Sequence, residues 1–209
     1  EALLNLPKGS RLLDAGAGQQ QYKQYCSHLN YTSQDFCQYE GVGNDEGLQT
    51  GVWDTSKIDI VSDIISIPEP DASFDVILCT EVIEHVPDPI AVLKEFSRLV
   101  KPGGKLIITA PFASLTHYAP YHYCTGFNKY FYEHHLSKLG FEIDEVTANG
   151  DYSEFVGQEL VRIETLYGVA PFYIRFYIKM VLRFLKEKQK TNDTKELACH
   201  GYHIRATKN

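Results

Sequence analysis

The sequence is short of the features by which several protein classes are recognised. Its five cysteines, Cys26, Cys37, Cys79, Cys124 and Cys199, are odd in number and widely scattered, with no C-x-x-C pair. That pattern argues against a disulfide frame or a zinc site and for reduced thiols in a cytosolic setting. No uncharged run is long enough to span a bilayer, and no signal peptide is visible. Basic residues are in deficit, 20 Lys and Arg against 27 Asp and Glu for a net charge of -7, so a nucleic-acid backbone is not the expected main ligand, although local basic stripes remain compatible. There is no internal repeat. An initiator methionine is missing as well: the chain starts at Glu1, a few residues before its first expected strand, so some N-terminal sequence is expected to be lost.

What is present suits a single globular domain over residues 1–209, with 44% hydrophobic and 22% charged residues and room for an appended subdomain. The stretch from Leu12 to Gly18, Leu-Leu-Asp-Ala-Gly-Ala-Gly, reads as a strand ending in a glycine turn, and Gln19, Gln20 and Gln21 then open a helix expected over Tyr22–Leu29. Gly16 and Gly18 tolerate positive φ and let backbone N–H groups approach a ligand, while a helix start adds a favourable dipole. A plain strand-to-helix turn would read the same way. The dinucleotide fingerprint G-x-G-x-x-G is broken, because position 21 is Gln.

Further strands are expected at Tyr31–Phe36, Ile58–Val61, Phe74–Cys79, Lys105–Ala110, Phe141–Ala148 and Gly201–Thr207, with helices at Pro89–Val100 and Asn128–Leu139. Phe74–Cys79 is a near-continuous apolar run, as in a central parallel strand covered on both faces. Asp35 ends the second strand roughly 20 residues after the glycine turn, where a doubly wound sheet can place a ribose-binding carboxylate; a solvated loop aspartate is the alternative. Asp63 beside Ile64 suits a nucleobase or, equally, a turn cap. Gln38–Ser56 is a long polar loop with the only tryptophan, Trp53, as its anchor. The polar run Thr80-Glu81-Val82-Ile83-Glu84-His85-Val86-Pro87-Asp88-Pro89 follows the central strand, at the end where ligands bind in open α/β sheets.

Taken in order, Leu-Leu-Asp-Ala-Gly-Ala-Gly, Asp35, Asp63, Phe74-Asp-Val-Ile, the Glu81–Pro89 run and Leu99-Val-Lys-Pro-Gly-Gly-Lys-Leu resemble the class I S-adenosylmethionine-dependent methyltransferases. Among these the similarity is to the small-molecule branch that includes the quinone O-methyltransferases. The resemblance spans residues 11–111. It implies an α/β fold: a Rossmann-like, seven-stranded, mostly parallel sheet with an antiparallel last strand, helices on both faces and a helical insertion between strands 6 and 7. It implies S-adenosylmethionine as cofactor and S-adenosylhomocysteine as product. Gly16, Ala17 and Gly18 would line the amino-acid end of the cofactor, Asp35 the ribose, Asp63 and Ile64 the adenine, and Thr80 and Glu81 the sulfonium, with Asp14 and Phe36 also among the cofactor-binding residues. The sequence departs from the family at Gln20, where a third glycine is common.

Pro111–Phe127 is crowded with aromatics and histidines and, by the resemblance, faces the methyl acceptor. Tyr118, Tyr121 and Tyr123 are candidates to stack on an acceptor, and His85, His117 and His122 to take its proton, against the alternative of an aromatic loop packed over the sheet. Glu81, Glu84 and His85 can point together at i, i+3 and i+4, and some methyltransferases with this run bind a divalent ion. With no fourth ligand evident, no metal is assigned.

Residues 151–196 form the insertion, with helices at Tyr152–Tyr167 and Phe172–Lys188 and a solvated linker over Lys186–Glu196. The second helix combines a wide apolar arc with Arg175, Lys179, Arg183 and Lys186 on its flank. That suits an anionic membrane surface, or else a core or dimer helix with a solvated basic stripe. The expectation is a cytoplasmic enzyme, at the inner membrane surface if the helix binds lipid, with no nucleic-acid partner and a homodimer left open. It would O-methylate a small hydroxylated, glycan- or lipid-associated acceptor. The alternatives are a non-catalytic cofactor-binding scaffold, an N- or C-methyltransferase and, further off, an NAD-dependent oxidoreductase.

Overall fold

Period-2 alternation sorts the side chains of the central strands between two apolar layers. In β1 (Arg11–Ala15), Leu13 and Ala15 face one layer and Leu12 the other; in β4 (Phe74–Thr80), Ile77 and Cys79 oppose Val76 and Leu78 in the same way. Both strands are therefore apolar on both sides, which a parallel sheet covered on both faces requires. The computed structural model describes residues 2–189 and 193–209; residues 190–192 of the expected Lys186–Glu196 linker lie outside the described residues.

The remaining strands are β2 (Asn30–Asp35), β3 (Ile60–Val61), β5 (Val100–Pro111), β6 (Phe141–Asn149) and β7 (Gly201–Lys208). They form one seven-stranded sheet in the order 3-2-1-4-5-7-6, and β7 runs antiparallel to both its neighbours. The larger apolar layer is closed by α1 (Pro89–Leu99), through Val92, Leu93, Phe96 and Leu99, and by α2 (Lys129–Lys138), through Tyr132 and Leu136. Both helices start on side-chain caps: Asp88 accepts from Ala91 N at 3.0 Å and Asn128 from Phe131 N at 3.1 Å. Each cap contributes about 1 kcal/mol. The smaller layer is closed by Leu3, Cys26 and Leu29, carried by the N-terminal segment and the β1–β2 connection.

That connection corrects one expectation. In place of a helix over Tyr22–Leu29 there is a single 3-10 turn, Lys23–Tyr25. Gly18 and Gln20, just before that stretch, adopt left-handed φ of +49° and +56°, and within it the backbone bonds close at i−3, Tyr25 N to Tyr22 O at 2.9 Å, Cys26 N to Lys23 O at 3.0 Å and Leu29 N to Cys26 O at 2.9 Å, so the chain descends in successive turns. The third strand shrinks to Ile60–Val61, an edge strand whose only neighbour among the described residues is β2. The fifth lengthens instead: Val100 already pairs with Phe74, and Lys105 with Val76, so Lys101–Gly104 bulges within the strand and does not precede it. All five cysteines are free thiols.

Two contacts fix the segment after β3. Buried Glu95 accepts from Ile67 N at 2.7 Å, and Arg98, paired with Glu95 at 2.6 Å, donates to the carbonyls of Ile67 and Glu69. Between β6 and β7 lie α3 (Tyr152–Tyr167), capped by Asp151, and α4 (Phe172–Gln189), packed against each other as a helical hairpin. Among the described residues no helix is long and apolar enough to cross a membrane.

Candidate active site

Four parallel strands end on one rim, and the residues just past their ends enclose a cleft of about 470 Å³. Gly16 follows β1. Its N–H donates to Gln34 O at 2.9 Å, its φ is +73°, and a Cβ there would lie 2.4 Å from Val82 Cγ2, so only glycine fits. Asp35 ends β2 and is buried. Gly18 N donates to its Oδ2 at 2.9 Å and Cys37 N to its Oδ1 at 2.8 Å, so one carboxylate ties the glycine turn to the second strand while each oxygen keeps a lone pair to offer. Past β3, Asp63 holds its turn through Ile65 N at 3.1 Å, and buried Ile64 lines the wall beside it.

Aromatic rings from two long loops roof the cleft. Trp53 meets Tyr39 edge-on at 5.1 Å, and Tyr118 lies 4.9 Å from Tyr39 and 5.4 Å from Trp53. A parallel bridge between Leu48 and His117 joins the loops. Tyr121 closes the far side, edge-on to Phe36 at 5.0 Å.

Past β4 the backbone is strained at one residue. Glu81 has φ +55°; its N–H donates to Thr109 O at 2.9 Å, and its carboxylate accepts from Thr109 Oγ1 at 2.7 Å. A non-glycine residue held there costs about 1–3 kcal/mol, a cost that concentrates at functional sites. The 3-10 turn Ile83–His85 then carries Glu84 inward. Glu84 is fully buried and neither carboxylate oxygen has a hydrogen-bond partner. Burial pushes its carboxyl up to about 8 and pushes the neighbouring His85 down to about 4. The two lie 3.6 Å apart, but near pH 7 both are neutral, so they form no ion pair.

His85 Nδ1 contacts Tyr121 O, and His117 Nδ1 lies 2.8 Å from Leu115 O. A carbonyl only accepts, so both rings donate from Nδ1 and both present a bare Nε2. His122 Nε2 sits 3.2 Å from Ser114 Oγ. The three rings cluster, with centroids 4.6 Å apart for His85–His117, 4.7 Å for His117–His122 and 5.9 Å for His85–His122. His122 is also pushed down, by burial first and then by His117.

The cleft thus brings together Gly16, Asp35, Phe36, Asp63, Ile64, Glu81 and His85. Asp14, Ala17, Gly18 and Thr80 are not in its lining. Asp14 accepts from Tyr31 Oη at 2.6 Å on the other face of the sheet, and burial pushes it up to about 6. Ala17 is buried behind the turn, Gly18 sits under Trp53, and Thr80 is paired with Thr109 in the sheet. His117 opens instead onto a second cavity of about 290 Å³, with Ser114, Arg162 and His200. Gln34, Ser62 and Val82 also line the cleft and carry no sequence signal of their own, except that Gln34 and Ser62 flank recognised carboxylates.

Comparison with known proteins gives this geometry a context. The model of a family described as a methyltransferase domain matches residues 1–146. The ubiquinone biosynthesis O-methyltransferase of Xanthomonas oryzae pv. oryzae is 35% identical over 104 residues, which cover 48% of this chain and 43% of that protein. The matched stretch is thus less than half of that relative's length. Among solved structures, an S-adenosylmethionine-dependent methyltransferase from Archaeoglobus fulgidus superposes with a TM-score of 0.57 at 17% identity, over 96% of this chain and 86% of the other. A phosphoethanolamine N-methyltransferase 2 of Haemonchus contortus, solved with S-adenosyl-L-methionine, gives 0.51 at 20% identity over 98% and 49%. At these identities the structural likeness shows the fold alone.

Proposed function

The chain belongs to the methyltransferase domain family, whose cofactor is S-adenosylmethionine, and from that premise we propose that it methylates the oxygen of a small hydroxylated acceptor. The residues of the cleft fit the cofactor: Gly16 at the end of β1, two carboxylates set apart along the rim, and the apolar wall of Ile64 and Phe36. When bound, S-adenosylmethionine supplies a methyl already activated by positive sulfur, so the protein's task is alignment and exclusion of water. Asp35 and Asp63 offer acceptor lone pairs to hydroxyl and amine donors, Glu81 places a carboxylate at the end of the central strand, and the Tyr39–Trp53–Tyr118 roof keeps water out. An alcohol must also lose a proton, and His117, held through Nδ1 by Leu115 O, lines the second cavity where an acceptor entering there would meet it.

The observation that carries the reading is the convergence of Gly16, Asp35, Asp63 and Ile64 on one cleft at the strand ends. Calorimetric titration tests it: S-adenosylmethionine binds and NAD does not, and Gly16→Val weakens binding at least 100-fold. Release of S-adenosylhomocysteine on hydroxylated but not amine acceptors supports the choice of oxygen. Turnover on amines alone removes it, and binding without turnover on either panel favours a non-catalytic cofactor-binding protein.

A second observation favours a membrane-associated acceptor. Phe172, Phe176, Tyr177, Met180 and Phe184 of α4 are all more than half exposed, beside Lys179 and Arg183. Part of the basic flank is internally paired, Arg175 with Glu164 at 2.9 Å and Arg183 with Glu187 at 3.5 Å. Such exposed pairs are weak and are exchanged readily for lipid phosphates. We propose an anionic bilayer as the occupant of this face. Flotation with vesicles of phosphatidylglycerol and phosphatidylcholine is expected to carry the protein up, and the Phe176→Ser/Phe184→Ser variant to stay behind. Equal flotation of both removes the idea.

A further inference from the structure

The helical hairpin faces inward as well as outward. On α3, Gln158 and Arg162 stand four positions apart and so share one face of the helix. Both line the second cavity, about 290 Å³, together with Thr50, Ser114 and His117 of the two long loops and His200 just ahead of β7. Among the described residues one arginine and two histidines line it and no carboxylate does, in a chain whose 27 acidic residues outnumber its 20 Lys and Arg. We propose that this cavity is a subsite for an anionic oxygen group, a carboxylate or a phosphate monoester, carried by the acceptor, and that Arg162 is its principal contact.

Three observations carry the proposal. Arg162 is largely covered, with 21% of its side chain exposed, yet its one ion-pair partner among the described residues is Glu159 Oε1, 3.2 Å from Nη2. A guanidinium has five N–H donors in a planar fork, so most of them remain to be offered, in the geometry that matches a carboxylate or phosphate. His200 sets a second basic ring in the wall. Its backbone is held on both sides, N donating to Asn149 O at 2.8 Å and O accepting from Phe112 N at 3.0 Å, and its Nδ1 is buried with no hydrogen-bond partner. Few polar atoms in native proteins are left so, and one beside a cavity calls for a polar group from outside the chain.

The third observation is that the walls are fixed in the absence of any ligand. Leu48 N donates to Thr116 O and Tyr118 N to Leu48 O, both at 3.0 Å, and α3 starts on the Asp151 cap, which accepts from Glu154 N at 3.1 Å. A cationic pocket built in advance loses little affinity to ordering. Its volume, at the lower end of the range for ligand sites, admits a small ring or headgroup. The proposal rests on the oxygen-methylating reading only for what the anion is attached to. His117 lines the same cavity, so an acceptor held by its anionic end has a proton acceptor in the same enclosure.

The test uses the full chain, with and without S-adenosylhomocysteine, titrated calorimetrically with benzoate, phenyl phosphate and, as the neutral counterpart, phenol. At least one anion is expected to bind tenfold or more tightly than phenol, and the tighter of the two identifies the group as carboxylate or phosphate. Arg162→Gln weakens that binding tenfold or more, and Gln158→Glu, which adds a carboxylate to the lining, weakens it at least as much. Lys94→Gln, an exposed basic residue of α1 outside the cavity, leaves it unchanged. Unaltered S-adenosylhomocysteine affinity in all three variants shows that they are folded. Equal binding of phenol and both anions, anion binding indifferent to Arg162→Gln and Gln158→Glu, or an equal loss in Lys94→Gln overturns the proposal and leaves the cofactor reading standing. Anion binding that depends on Arg162, in a protein that transfers methyl to no hydroxylated acceptor, keeps the subsite and removes the oxygen-methylating reading.

Discussion

The sheet with its two capping helices and the α3–α4 hairpin treat their aromatic side chains in opposite ways. Phe74, Phe96 and Tyr132 are completely covered, whereas Phe172, Phe176 and Phe184 expose 82%, 56% and 57% of their surface. The helices of the two regions are similarly apolar. They differ in whether a second layer meets the apolar face. α1 and α2 find the sheet, while the hairpin is left with its own partner helix and an uncovered outer arc. Burial of a side chain is thus a property of topology as much as of hydrophobicity.

Three variants sharpen this contrast. Phe96→Ala in the covered region removes a side chain with no exposure at all and is expected to cost about 3–5 kcal/mol, read from the shift in urea midpoint at constant slope. Asp14→Asn tests a polar group under the same cover. The native Asp14 carboxyl keeps its proton up to about pH 6 while the unfolded chain releases it near the ordinary aspartate value of 3.8, so the folded state binds the extra proton in that window. Stability from this group is therefore present below about pH 4 and lost as pH rises to 6, a change on the order of 3 kcal/mol. In Asp14→Asn that downward slope disappears, and urea unfolding at pH 4, 5 and 6 measures it. The Phe176→Ser/Phe184→Ser pair in the hairpin comes last: in the absence of lipid its urea midpoint moves by no more than about 0.5 kcal/mol. A loss comparable to that of Phe96→Ala would mean that the arc is covered in solution, and would end the contrast.

The strands were legible where both faces are apolar. The run Phe74-Asp-Val-Ile-Leu-Cys announces β4, and the acidic residues that close β2 and follow β3 meet in one cleft as their positions implied. The missing helix after β1 was not legible, because Tyr22, Cys26 and Leu29 recur at helical spacing. The segment closes i−3 bonds instead, behind a turn that is fixed locally. Gln20 occupies the left-handed position that a glycine often fills in this family, and its amide donates to Ser33 Oγ and Lys57 O, both at 2.7 Å. Two hydrogen bonds of about 1 kcal/mol each offset the left-handed backbone cost of about 1–2 kcal/mol.

The carboxylates of the Glu81–His85 run show the same limit. On an α-helix their spacing would converge. Here Glu81 has left-handed φ and only the next turn is helical, with 3 residues per turn, so Glu81 and Glu84 point apart. His117 reaches Glu84 because Leu48 bridges to it from a loop nearly 70 residues upstream, a pairing that no local pattern encodes.

At the base of the helical hairpin, Asn149 and Gly201 are register partners, and His200 N donates to Asn149 O at 2.8 Å. The chain leaves the sheet and rejoins it at a single closed doorway, so whatever is strung between those two residues exerts no pull on the strands. Lengthening such a detour costs only logarithmically in closure entropy, about 0.6 kcal/mol per doubling. The architecture can therefore exchange this appendage wholesale, acquiring new surroundings for its chemistry without disturbing the rim where that chemistry is placed.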